Sequence, residues 1–240
     1  MGRRVLGPVV AALILGLVGC TGDQVPADTP TPDGPSPTPT STPTEPPADP
    51  DELPGEAFPG PPADSRLAVV GVAASDVLNL RSGPGVDFDV IAELAPLEDD
   101  VIATGRSRLL GGMTSIWVEA EVDGVTGWAN SRYLAYLGSV DDITSQLGTP
   151  AGGSELVDVA DAVARQWAGD GADYITVTVV DGPHHGDLGE ITVDVLGLGD
   201  DSVMGARLHI FASPDGGRFT ARTVESTLLC ARGVDDGLCI

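Results

Sequence analysis

The chain has 240 residues, with 36 Asp and Glu set against 12 Arg and no Lys, for a net charge of −24. An excess of acid this large excludes nucleic-acid binding, because phosphates demand a basic surface, and it excludes electrostatic attraction to anionic headgroups. With 42% apolar residues the chain can fill the cores of one or two domains. The acids are spread without a long run and describe a solubilising surface.

At the N-terminus, Arg3 and Arg4 precede an apolar run from Val5 to Val18. A run of about 14 residues is too short to cross the roughly 30 Å hydrocarbon core as a helix, which takes about 20. Positive charge, run length and small exit residues match a signal peptide. The run ends in Leu17-Val18-Gly19-Cys20 rather than in an Ala-x-Ala site. That ending resembles the lipobox of bacterial lipoproteins, whose Cys thiol receives a diacylglyceryl group before cleavage makes it the first residue. The resemblance implies that residues 1–19 are removed and that Cys20 carries acyl chains, palmitate among them. It places the chain on the extracytoplasmic face of the bacterial membrane, with the bilayer as its partner through acylated Cys20. Two or more acyl chains anchor stably where one is marginal. Loss of Arg3 and Arg4 takes the net charge from −24 to −26, so the lipid alone would make the membrane contact.

Residues 20–65 form the next unit. Fourteen of the 20 prolines fall in 21–65, mixed with Thr, Ser, Asp and Gly, so little in it can be buried. A disordered stalk with polyproline-II character is expected, reaching about 140 Å at roughly 3.1 Å per residue if fully extended.

From residue 66 short β-type runs take over: Val69, Val70 and Val72, then 77–81, 90–94, 101–105, 116–122 and 125–129. Ser82-Gly83-Pro84-Gly85 is a turn, and Asp123-Gly124 between two apolar runs signals a two-residue hairpin. This pattern predicts a small antiparallel barrel. Leu78-Asn79-Leu80-Arg81-Ser82-Gly83-Pro84-Gly85, with Val90-Ile91-Ala92-Glu93-Leu94, Gly127-Trp128 and Tyr133-Leu134 downstream, resembles the bacterial SH3-like domain over residues 66–138. That resemblance implies binding of cell-wall peptidoglycan or peptide. Two departures stand out: Ile116-Trp117-Val118 replaces the family's Gly-Trp-Tyr, and the loop 106–115 is longer than usual. Arg81, Trp117, Trp128 and Tyr133 are the candidate ligand-binding residues. Core filling competes for both tryptophans, and bracing of the turn competes for Arg81.

Residues 139–153 read as a linker. Ser154 then caps a helix through Trp167, with Leu156, Ala160, Val163 and Trp167 on one face and Gly169 at its end. Runs at 174–180, 191–196, 206–212 and 219–229 follow, with Ser213-Pro214-Asp215-Gly216-Gly217 turning the last two into a hairpin. One helix plus an antiparallel meander makes 154–240 a small α+β module and the whole chain mainly β.

In an exported protein Cys230 and Cys239 are expected to pair, closing a loop of about ten residues worth on the order of 3 kcal/mol. Two free thiols or a metal site are the alternatives. No catalytic residue is assigned. A papain-like enzyme needs its Cys before its His, whereas His184, His185 and His209 all precede Cys230. His184, His185, Asp187 and Glu190 are the nearest thing to a metal cluster, and after the turn signal Asp181-Gly182-Pro183 they read as a solvated loop. Gly83-Pro84-Gly85 and Gly197-Leu198-Gly199 lack a phosphate-binding context, so no cofactor is expected. The expected function is non-catalytic binding in the envelope, to peptidoglycan or peptide. A scaffold docking another envelope protein through the C-terminal module is the alternative, and a wall hydrolase a more distant one. Cys20→Ser is expected to abolish acylation, checked by incorporation of labelled palmitate in a bacterial host; undiminished labelling would refute the lipobox reading.

Overall fold

Ile191-Thr192-Val193-Asp194-Val195 alternates apolar and polar residues at period two, which gives a strand one apolar face and one polar face. In the computed structural model this is strand β11 (Gly189–Leu196), and its two faces organise the C-terminal half. The structure describes residues 53–111, 115–197 and 201–240, so residues 1–19, Cys20 and most of the Pro-rich segment lie outside the described residues. All described residues belong to one compact unit.

The first half is built from β1 (Glu56–Ala57), β2 (Arg66–Val69), β3 (Leu78–Arg81), β4 (Val90–Leu94), β5 (Val101–Leu110), β6 (Ser115–Val122) and β7 (Val125–Asn130), with β8 (Leu134–Asp142) leaving it. Asp123 and Gly124 both take positive φ, so the β6–β7 hairpin turns where the dipeptide predicts. Leu67, Leu80, Val101, Val118 and Ala129 fill the interior of this curled sheet. Each fully buried Leu or Val contributes about 1.5–3 kcal/mol relative to exposure.

The second half contains β9 (Gly152–Gly153), helix α1 (Leu156–Ala168), β10 (Thr176–His185), β11, β12 (Val203–Asp215) and β13 (Arg218–Cys230). Strands β10 to β13 form an antiparallel meander. Helix α1 lays Leu156, Val159, Ala160, Val163 and Ala164 on the apolar face made by Ile191, Val193, Val195, Leu208 and Ile210. Its cap is Glu155 rather than the expected Ser154. The Glu155 side chain accepts from the Asp158 backbone, while Asp158 accepts from the Glu155 N–H at 3.0 Å and the Ser154 hydroxyl at 2.6 Å, a reciprocal capping box. At the other end Gly169 takes positive φ and stops the helix.

The protein is mainly β and antiparallel throughout its described strand pairs, yet its two halves are one sheet. Residues 139–153, expected to be a linker, instead continue β8 to Asp142, form a short 3-10 turn at Thr144–Gln146 and pair β9 with β13. The near end of β8 pairs with β2 at Ala68 and Val69, and its far end pairs with β13 from Tyr136 to Asp142. Polar residues after Gly138 hide this strand, because its pairing comes from a partner about 90 positions away. The stalk expected to run to residue 65 ends earlier: β1 pairs with β5, and the N–H groups of Phe58 and Asp64 donate to the carbonyls of Ser107 and Ala103. Residues 106–110 belong to β5, not to a long loop, and a register shift near Gly105, at positive φ, carries the strand on. Asp181-Gly182-Pro183, expected to be a turn leading into a solvated loop, is an irregular stretch inside β10; His184 and His185 lie in that strand and Glu190 in β11, and the turn falls at 186–188. Cys230 and Cys239 form a disulfide with Cα atoms 5.1 Å apart, closing over the hairpin of β14 (Val234–Asp235) and β15 (Leu238–Cys239).

The seam between the halves is held on the polar face of the meander. Arg207 donates from Nε and Nη2 to the two Asp194 oxygens at 2.7 and 2.9 Å. Its Nη2 also reaches the Val69 carbonyl at 2.7 Å, and Asp194 accepts from the Gly71 N–H at 2.8 Å. Asp194 is fully buried and Arg207 nearly so, with side-chain exposures of 0% and 11%. Removing one member of such a pair leaves the other charge stranded.

Two outcomes follow from these contacts. Asp194→Ala is expected to lower the unfolding free energy by about 3–5 kcal/mol, measured by chemical denaturation. Hydrogen bonds from Ser154 and Glu155 hold the Asp158 carboxyl below its usual 3.8, so its contribution is present above that value and fades as pH falls through the depressed one. The Tm difference between wild type and Asp158→Ala should therefore be full at neutral pH and close in strong acid.

Candidate functional site

An open cleft of about 480 Å³ is the candidate site. One wall is the loop 71–77 between β2 and β3. Its floor is the beginning of β3 with Trp117 of β6, and Val86 and Tyr133 stand at its rim. Thr178 of β10 lines it from the C-terminal half.

Each wall has a local cause. The turn after β3 is held by Arg81, whose Nη1 donates to the carbonyls of Val86 at 3.0 Å and Phe88 at 2.8 Å. The Phe88 ring folds under Gly83 so closely that a Cβ there would collide with the ring carbons. This turn therefore requires glycine for space, and it presents Val86, 71% exposed. Tyr133 ends a 3-10 turn, Ser131–Tyr133, whose N-cap Asn130 accepts from the Arg132 N–H at 3.0 Å and donates to the Ser115 hydroxyl at 3.1 Å. The cap leaves Tyr133 37% exposed. Trp117 is only 5% exposed, a core side chain with one edge on the cleft.

Loop 71–77 hangs from the C-terminal half. The Gly71 N–H donates to Asp194, and the Ala74 N–H donates to the Val179 carbonyl at 2.9 Å. Gly71 takes φ +66, and a Cβ on it would stand 2.8 Å from Leu196. Asp76 closes the loop on itself by accepting from the Val77 N–H at 2.8 Å.

Of the four residues expected from the sequence to bind ligand, Arg81, Trp117 and Tyr133 line this cleft and Trp128 does not. Trp128 is 3% exposed and lies against Arg106, whose guanidinium carbon is 5.4 Å from the ring centroid. Arg106 also pairs with Glu119 at 2.7 Å. Trp128 is thus part of a packed cross-strand cluster, because Glu119 is its register partner on β6. Polar lining residues not expected from the sequence to bind ligand are Asp76, Asn79, Asn130 and Thr178. Asn79 sits inside the motif, but Thr178 enters through tertiary packing alone and leaves no mark in the local pattern.

The chemistry of the cleft is mixed. Arg81 and Asp76 offset each other, the Asn79 amide and the Thr178 hydroxyl supply hydrogen-bonding groups, and Val77, Val86 and the aromatic edges supply apolar contact. Such a surface suits an uncharged or zwitterionic chain rich in hydroxyl and amide groups.

The histidines lie elsewhere. On the polar face of the meander His209 contacts Glu190 at 2.7 Å and Glu225 at 3.7 Å, while His184 contacts Asp181 at 2.9 Å. Among the described residues no group of three or more His, Cys, Asp and Glu side chains could hold a metal ion. Cys230 is fully buried and bonded to Cys239, so its sulfur is not a nucleophile.

No protein-family model, curated protein or solved structure matches the chain.

Proposed function

We propose that this protein is a lipid-anchored lipoprotein of the bacterial envelope whose cleft binds cell-wall peptidoglycan without cleaving it. The cleft carries the reading: Tyr133 at its rim, amide and hydroxyl donors and balanced charge match the hydroxyls, acetamido groups and short peptides of that polymer. The N-terminal half is read as an SH3-like module on the strength of its Leu78 to Gly85 motif. The address comes from Arg3-Arg4, the apolar run and the lipobox-like Leu17-Val18-Gly19-Cys20. A disulfide between Cys230 and Cys239 is in keeping with an oxidising compartment.

Docking of another envelope protein through the C-terminal module has less support. The exposed apolar side chains there are Val157, Tyr174 and Leu188, which belong to separate elements, and the pair Leu238 and Ile240 at the far end of the module.

Pull-down with purified peptidoglycan tests the reading. Wild-type protein should sediment with the polymer, and Tyr133→Ala should weaken retention by about tenfold, equivalent to roughly 1.4 kcal/mol, with its unfolding midpoint unchanged. Absence of wild-type retention would refute the reading.

A further inference from the structure

We propose that the cleft is shared between the two halves and that Thr178, on the C-terminal meander, is a ligand-contacting and specificity-determining residue. The inference rests on the cleft being the ligand site.

Four residues form a lateral row across the polar face of the meander: Thr178 opposite Asp194, Asp194 opposite Arg207, and Arg207 opposite Thr227. Directly paired residues in antiparallel strands project to the same side, so the row points away from helix α1. Val177 and Val179, the neighbours of Thr178, pack into the helix-side core, which fixes Thr178 on the opposite side by alternation. The barrel half is seated on this row. Asp194 and Arg207 hold Gly71 and Val69, and the Val179 carbonyl holds the Ala74 N–H. With the loop pinned at Gly71 and Ala74, the cleft opens beside Thr178 instead of being covered by it, and Thr178 becomes a wall of the site.

The ligand is therefore gripped between a β-hydroxyl from one half and an aromatic rim from the other. A ligand narrow enough to meet Tyr133 and Thr178 together, such as one strand of a hydroxyl-rich and amide-rich polymer, satisfies both walls. The N-terminal half alone would present Tyr133 and Arg81 without the wall that Thr178 supplies. This arrangement gives the C-terminal module a direct role in recognition.

The test uses the full chain and purified peptidoglycan. Thr178→Trp, which fills the far wall, should lower retention at least tenfold, while Thr178→Ser, which keeps the hydroxyl, should stay within about twofold of wild type. Thr227→Trp is the control: it lies on the same row but outside the cleft, and should bind as wild type does. Wild-type retention by Thr178→Trp, alongside loss in Tyr133→Ala, overturns the inference. NMR of the ligand-free full chain judges it independently of any ligand. Thr178→Trp and the milder Thr178→Val should both shift the resonances of Ala73, Val77 and Tyr133, whereas Thr227→Val should not. Changes confined to β10 and β11 overturn it. Should wild-type protein fail to bind peptidoglycan, the wall reading falls, and the shared cleft is decided by the chemical shifts.

Discussion

The Asp194–Arg207 pair is the constraint on which the rest of the molecule depends. An aspartate with no exposed surface is tolerated only when its oxygens are fully engaged, and here two guanidinium N–H groups and the Gly71 N–H engage them. The same guanidinium reaches the Val69 carbonyl, so one pair sets the position of the chain on both sides of the seam. Its strength lies in geometry more than in net energy: buried pairs are costly to form, and breaking one strands a charge. Val70, Ala135 and Leu229 pack beside it as a small third core between the two larger ones. Apolar contact there gives adhesion, and the ion pair gives direction.

This seam explains why the polar faces of the two halves differ in use. On the meander, Ile191, Val193 and Val195 face helix α1, while Thr192 and Asp194 face the other way. A polar face beside solvent would need only hydration. Covered by the barrel half, it needs partners, and it finds them in backbone groups at Val69, Gly71 and Ala74. Further along the same face His209 pairs with Glu190 and Glu225, and all three remain partly exposed.

Much of the architecture was legible from sequence because it rests on local signals. Asp123-Gly124 marks a hairpin, Leu156, Ala160, Val163 and Trp167 mark a helix face, and the run 191–196 marks a strand. The core placement of Trp117 and Trp128 followed from a barrel with few large side chains to spend. What escaped depends on partners far away in the chain. The polar tail of β8 looks like a spacer until β13 is beside it, and Asp194 looks like a surface residue until the barrel covers it. The cleft was half legible: Arg81 and Tyr133 lie within or just beyond a recognisable motif, while Thr178 is brought in by the seam. Trp128 is buried and lies outside the cleft, because the motif marks a strand, and a strand has two sides.

The position of β13 governs the order in which this protein can be assembled. The last long strand of the chain is inserted between β12 and β8 and also holds β9, so the sheet remains in two pieces until residues 218–230 are present. Until then β8 and β12 each expose an unpaired edge, the kind of edge that invites intermolecular pairing. Joining Tyr136 to Cys230 means closing a loop of more than ninety residues, and such non-local pairings slow folding. A chain emerging N-terminus first therefore reaches its native sheet only after residues 218–230 are available. Truncation by even the last two dozen residues would remove the strand that makes two half-sheets into one molecule.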